Sequence, residues 1–300
     1  ADGRDNPEHN FYLVNFLRYS AFKGNINAFV KYGELLYNGN IVKADKEKAV
    51  KIFKIAADCG EEQAMFYYGK HCYENDIDGT NFDEYLSYIK NSADLGCFDA
   101  MLLMAEIILQ GKIPNLDKTE AVKYLEKTIE YNDPKSMLYY GNMLLEGDLI
   151  KKDKIKGIDF IKKSADLGNT EASLKYGKIL FEGIEIPQNK KQAAVYYKKD
   201  VDQGNEEAIL QYGLMLLRGD GIESNKNEAY FYLKMIADQG NSIAMYEYGK
   251  HLISTFKENT FAEGVNYIKQ SADLGYVDSI HSYGYLLRYG IGVQMNVKES

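Results

Sequence analysis

The chain has 300 residues, 45% of them hydrophobic and 27% charged, enough to build packed cores and too apolar for a disordered segment. Only 4 prolines and no tryptophan, beside 26 tyrosines, exclude collagen-like, proline-rich and long-linker architectures and favour helix throughout. A formal net charge of -8 argues against a nucleic-acid partner held by a bulk positive field.

In chain order, residues 1–6 are polar and lack the apolar core of a signal peptide. Asn6 as cap and Pro7 at the first helical position then open a lone helix over about residues 7–23. From there the sequence repeats. Gly33, Gly69, Gly141, Gly177, Gly213, Gly249 and Gly284 form one column, with Ala105 in the gap. Gly24, Gly60, Gly96, Gly168, Gly204, Gly240 and Gly275 form a second, with Asn132 in its gap. Both step by 36 residues or a multiple of it, and both end on a step of 35. Two independent columns therefore report one deletion, placed between Gly249 and Thr260. A period of this size marks a stacked array of small units.

Each unit reads as two helices. Helix A carries the first glycine and commonly stops at another one, as at Gly39, Gly111, Gly147, Gly183, Gly219 and Gly290, where a left-handed residue is expected. A loop of about six residues leads to a third column of caps for helix B: Asp45, Asn81, Asp117, Asp153, Asn189, Asn225, Thr260 and Asn296. Glu84, Glu120, Gln192, Glu228, Glu263 and Glu299, three residues on, complete capping boxes. Apolar pairs such as Ile52-Phe53 and Tyr196-Tyr197, followed by Ala57 and its equivalents, give helix B one apolar stripe. A single pair cannot bury its stripe, whereas stacked pairs share a core. The expected fold is all-α, a right-handed α-α superhelix (solenoid) of about eight 36-residue helix-turn-helix repeats. They occupy a single domain over 1–300, starting near 25, 61, 97, 133, 169, 205, 241 and 276, the last incomplete. A bulky side chain at a Gly33-type position is expected to cost about 1–3 kcal/mol by overpacking.

The unit Ala208-x3-Tyr212-Gly213-x5-Gly219-x-Gly221-Ile222-x2-Asn225-x3-Ala229-x7-Ala237-x2-Gly240 resembles the Sel-one-like repeat, a relative of the tetratricopeptide repeat with a longer internal loop. The resemblance runs over nearly the whole chain. It departs at Ala105 and at the loops around Asn75 and Thr255, which lack the glycine stop. What it implies is a scaffold or adaptor for protein partners. Secreted members carry paired cysteines bridging each repeat, and a hydrolytic or penicillin-binding activity goes with them. Cys59, Cys72 and Cys97 make no such pairs, no C-x-x-C and no zinc spacing.

Two columns admit alternative readings. Tyr32, Tyr68, Tyr140, Tyr176, Tyr212, Tyr248 and Tyr283 precede the helix A glycine, either as packing residues with a polar tip or as a recognition stripe. Asp58, Asp94, Glu130, Asp166, Asp202, Asp238 and Asp273 oppose the helix B dipole. They either bond the start of a neighbouring helix A or form an acidic rail. His9, His71, His251 and His281 sit in no nucleophile or metal motif, so no catalytic residue, metal site or cofactor is expected and the chain is read as not an enzyme.

The tetratricopeptide likeness implies that the residues one and five after the helix A glycine line the concave face. The first runs Glu34, Lys70, Glu106, Asn142, Lys178, Leu214, Lys250, Tyr285; the second Asn38, Glu74, Gln110, Glu146, Glu182, Arg218, Ser254, Tyr289. Both turn aromatic near the C-terminus. Leu214, Arg218, Tyr246, Lys250, His281, Tyr285, Arg288 and Tyr289 would form a partner-binding patch of residue types common at interface hot spots. The alternative is that Tyr285 and Tyr289 face an absent neighbouring helix. The lone first helix and a new helix B starting at Asn296 imply a piece of a longer polypeptide. The functional expectation is a non-catalytic, cytoplasmic adaptor for unidentified protein partners, without nucleic-acid binding or membrane insertion. A component of a cytoskeletal lattice and a regulatory segment of a larger enzyme are the alternatives.

Overall fold

The computed structural model describes residues 7–75, 81–113, 116–255 and 258–294. Among these residues the chain is an all-α solenoid, without strands. Its helices are α1 (Pro7–Phe22), α2 (Ile26–Asn38), α3 (Lys46–Asp58), α4 (Glu62–Asn75), α5 (Phe82–Asp94), α6 (Phe98–Leu109), α7 (Thr119–Glu130) and α8 (Pro134–Glu146). They continue as α9 (Lys154–Asp166), α10 (Thr170–Glu182), α11 (Lys190–Val201), α12 (Glu206–Arg218), α13 (Lys226–Asp238), α14 (Ser242–Ser254), α15 (Glu258–Asp273) and α16 (Val277–Tyr289). Even-numbered helices from α2 are the A helices and odd-numbered ones from α3 the B helices. Contacts run chiefly between helices consecutive in sequence. The chain divides into two compact units, residues 1–140 with 148–151 and residues 141–147 with 152–300.

The glycine columns do the work their spacing implies. Every glycine of the second column from Gly24 to Gly275 has a positive φ, and Asn132 takes φ 59° in its gap. Asparagine is the non-glycine residue that tolerates this conformation best. Gly39, Gly111, Gly147, Gly183, Gly219 and Gly290 end the A helices with φ between 62° and 79°. At the first column the reason is space. A Cβ on Gly33 would lie 2.8 Å from the Phe53 ring, and one on Gly141 2.9 Å from the Gly157 carbonyl oxygen. Gly213 departs from the overpacking expectation, because its added Cβ would meet Tyr232 and Leu233 at ordinary distances of 3.4–3.5 Å.

The caps are partly as read. Asp45, Asp153, Asn189 and Asn225 each accept the backbone N–H three residues on. Asn81 precedes α5 without a capping side-chain bond, whereas Asp117 accepts the Thr119 N–H at 2.9 Å, with Lys118 between it and the first residue of α7. Thr260 lies inside α15, which starts two residues earlier. The capping boxes also close differently. The Asn225 amide donates to the Glu228 carboxylate at 3.0 Å, and the Asn189 amide to Gln192 at 3.3 Å. The backbone N–H of these caps is already committed: Asn189 and Asn225 donate to Leu180 and Leu216 carbonyls in the preceding helix A at 2.8 and 3.1 Å. Asn6, Asn296 and Glu299 lie outside the described residues.

A second set of caps went unread in the sequence. Asn25, Asn169, Asn205 and Asn241 directly follow a second-column glycine and accept the N–H of Ala28, Ala172, Ala208 and Ala244 at 2.8–3.0 Å. The recurring Gly-Asn pair was the signal. It closes one helix and opens the next in two residues.

In the first unit, Val30, Leu36, Ile52, Phe53 and Ala56 build one buried cluster. In the second, Ile209, Leu210, Leu233, Ile236 and Met245 build another. Small residues sit wholly buried within these clusters, Ala49 in the first and Ala208 and Ala244 in the second, so the helices of each approach closely.

Candidate interaction site

The two recurring polar columns are structural. Tyr68, Tyr176, Tyr212 and Tyr248 pack edge-to-face on Tyr88, Tyr196, Tyr232 and Tyr267 of the following helix B, with centroids 4.9–5.9 Å apart. The acidic column does not bond the start of helix A. Tyr88, Tyr124 and Tyr196 donate their hydroxyls to Asp58, Asp94 and Asp166 of the repeat before, at 2.6, 3.1 and 2.7 Å. Tyr267 does the same to Asp238. Lysines one turn earlier add charge: Lys54 lies 3.5 Å from Asp58, and Lys198 3.4 Å from Asp202. Lys54 also stands 4.7 and 4.5 Å over the rings of Tyr68 and Tyr88. The Tyr88 hydroxyl holds the Asp58 carboxyl below the usual carboxylate range. Burial and the Asp94 carboxylate push the Tyr124 phenol up to about 12. Lysine, aspartate and tyrosine thus clasp successive B helices, which removes the acidic rail as a separate device.

Two histidines, His71 and His251, are likewise settled in packing. His71 and His251 replace the aliphatic residue that follows the helix A glycine by two, seen elsewhere as Leu35, Ile107, Met143, Ile179, Met215 and Leu286. The His251 ring stacks on Tyr230 at 3.6 Å, and His71 lies 3.3 Å from the Tyr37 hydroxyl. Burial pushes both imidazoles below their ordinary value. The side chain of His9 lies outside the described residues. Among the described residues no group of three metal-ligating side chains converges, and no helix is long and apolar enough to cross a membrane.

The C-terminal patch falls on α12, α14 and α16, and the structure gathers only part of it. Lys250, His281 and Tyr285 line a cleft of about 370 Å³ between α14, α15 and α16, floored by Ile253, Ile268 and Leu286. Tyr246 joins its rim: the Lys250 ammonium stands 4.2 Å over the Tyr246 ring, and Ser282 donates to the Tyr246 hydroxyl at 3.4 Å. Glu247 fixes the same lysine at 2.9 Å. Tyr285 and Tyr289 pair at 4.7 Å, each 58% exposed. Arg288 is exposed on the last turn of α16 and Arg218 on that of α12. Neither arginine lines the cleft. Leu214 is half-buried and packs against the cluster of Ile209, Leu233 and Met245, which accounts for its departure from the polar column. An exposed aromatic face on α1 was missed: Phe11, Tyr12, Phe16, Tyr19 and Phe22 are 62–85% exposed. Their spacing was the available signal.

Comparison with known proteins adds the fold's relatives. One solved structure of similar shape is c5321, a protective antigen present in uropathogenic Escherichia coli strains, displaying an SLR fold. It matches over 95% of this chain with a TM-score of 0.78 and 22% identity, and this chain spans 62% of its length. A Sel1 repeat protein from Oxalobacter formigenes matches over 85% of both chains, with a TM-score of 0.58 and 23% identity. A search of curated proteins found no match. The Sel1 repeat profile matches residues 30–61, 62–81, 98–130, 134–169, 170–205, 206–241 and 277–299. With the glycine columns, the helical hairpins and this profile all in one register over most of its length, the chain belongs to the Sel1 repeat family.

Proposed function

We propose that this chain is a non-catalytic scaffold and that its C-terminal A helices hold a protein partner. Sel1 repeats generally mediate protein–protein interactions. The observation that carries the specific reading is the exposed pair Tyr285 and Tyr289 beside the Lys250–Tyr246 stack, at the mouth of an apolar-floored cleft. Aromatic anchors next to a pocket, with charges at the rim, are the composition of an interface hot spot. Cross-linking mass spectrometry on the native complex identifies the partner. Tyr246→Ala with Tyr285→Ala then weakens its binding by about 2 kcal/mol, roughly thirtyfold, while helical circular dichroism persists. An unchanged affinity removes the cleft as the contact.

A second reading, a structural component of a larger assembly, draws on the aromatic face of α1. Exposed apolar area of this kind marks association surfaces. Sedimentation separates the two readings. A monomer favours the adaptor, whereas self-association abolished by Phe16→Glu favours the lattice.

A further inference from the structure

A second cleft, of about 450 Å³, opens between α10 and α12 with Tyr197 of α11 at its floor. Leu174 and Phe181 wall it, and Glu171, Glu182 and Glu207 stand around its rim. Two lysines share the rim: Lys175 donates to Asn142 at 2.6 Å, outside the cleft, and Lys178 lies at a loose 4.0 Å from Glu182 along the exposed face of α10. Tyr197 is the unusual residue. Its ring lies against Gly177, where an added Cβ would meet Tyr197 Cε1 at 2.8 Å, and the side chain is only 4% exposed. In the other B helices its position is apolar, as at Phe53, Ile89, Leu125, Ile161, Leu233 and Ile268, while the clasp of α11 is made by the neighbouring Tyr196; Tyr197 brings a hydroxyl into that column and lines the cleft. Burial pushes its phenol well above the ordinary value, with the carboxylates of Glu207 and Glu182 adding to the effect. Both acids line the same cleft as Tyr197. An unspent acceptor at the floor, aromatic and aliphatic walls and three carboxylates against two lysines at the rim suit a planar cation with several donors.

We infer that the α10–α12 cleft receives an arginine side chain of a partner protein, its guanidinium donating to Tyr197 Oη and to Glu182 and Glu207. Arginine suits the site better than lysine. The flat guanidinium can lie along the Phe181 and Tyr197 rings while its fork serves two acceptors, and a point ammonium cannot do both. The inference rests on the interaction-surface reading above and adds the chemistry of one contact to it.

The test uses the full chain and a small probe, so it does not depend on identifying the partner. N-acetyl-argininamide is titrated while backbone amide NMR signals are followed, with the neutral isostere N-acetyl-citrullinamide as comparison. Saturable shifts confined to α10, α12 and Tyr197 are expected with arginine, and about tenfold weaker binding with citrulline. Glu182→Gln with Glu207→Gln, and separately Tyr197→Phe, should each weaken the arginine response. Equal responses to both probes, shifts spread evenly over the acidic surface, or an affinity unchanged in both variants would overturn the inference. Should a variant lose helical circular dichroism, the two-probe comparison on the unaltered chain still decides. Failure here leaves the α14–α16 cleft standing, since cross-linking and the Tyr246/Tyr285 variants test it separately.

Discussion

The hairpins α10–α11 and α14–α15 follow the same sequence pattern and close by different physics. In α14–α15 two glycines face each other: a Cβ on Gly249 would lie 2.9 Å from the Gly264 oxygen, and one on Gly264 2.7 Å from the Gly249 oxygen. In α10–α11 the residue opposite is Ala193, and Gly177 is occupied by the Tyr197 ring. The buried polar position of helix B differs as well. Ser271 donates to the Ser242 carbonyl at 2.6 Å and bonds Ser279 at 2.6 Å. The matching residue in α11 is Asp200, wholly buried, with neither carboxylate oxygen bonded. One hairpin is limited by backbone against backbone, and its buried Ser271 is bonded. The other is limited by a side chain and keeps an unpaired acid inside. A shared column of glycines thus does not imply a shared energetic reason.

The largest effect separates the two glycines. Gly249→Ala should cost about 1–3 kcal/mol, because a carbonyl oxygen cannot retreat without parting the hairpin. Gly177→Ala should cost less than about 1 kcal/mol, since the Tyr197 ring can tilt toward its cleft and alanine improves helix propensity. Urea midpoints at constant slope measure both. Equal losses would break the distinction between backbone-limited and ring-limited closure.

Asp200 sharpens the second half of the comparison. Burial raises its carboxyl above the ordinary carboxylate range, while the Ser173 hydroxyl and the Lys199 charge pull the other way without cancelling it. The folded chain therefore keeps this proton to higher pH than the unfolded chain does. Across that window the folded state binds more protons, so stability falls as pH rises from the ordinary carboxylate value to the raised one. Asp200→Ser, which restores the residue type of Ser92, Ser164 and Ser271, should add about 1 kcal/mol at neutral pH. The gain should vanish at a pH below the unfolded carboxylate value. A gain independent of pH would show that packing, not the buried charge, limits α11.

Periodic signals were legible and their exceptions were not. The 36-residue columns located helices, stops and most B-helix caps, because each depends on a residue's own backbone preference or on a bond three residues away. Thr260 misled because shortening the loop let α15 begin earlier, which a column count cannot register. The acidic column misled because its partner is a tyrosine about thirty residues on, as in Tyr88 with Asp58. Of the C-terminal patch, the sequence grouped Leu214 with Tyr285 by column alone. Packing separates them, setting Leu214 half-buried against the core and leaving Tyr285 at a cleft.

By itself the sequence determined the fold class, the hairpin as repeating unit and the places where helices start and stop, since these follow from local conformational energies repeated at one spacing. Only the tertiary structure decided which tyrosines are clasps and which stay open, why Gly213 is spacious and Gly249 is not, and where an acid is buried without a partner. Those depend on distances between side chains far apart in the chain, set by how one repeat's residues fill the space its neighbour leaves.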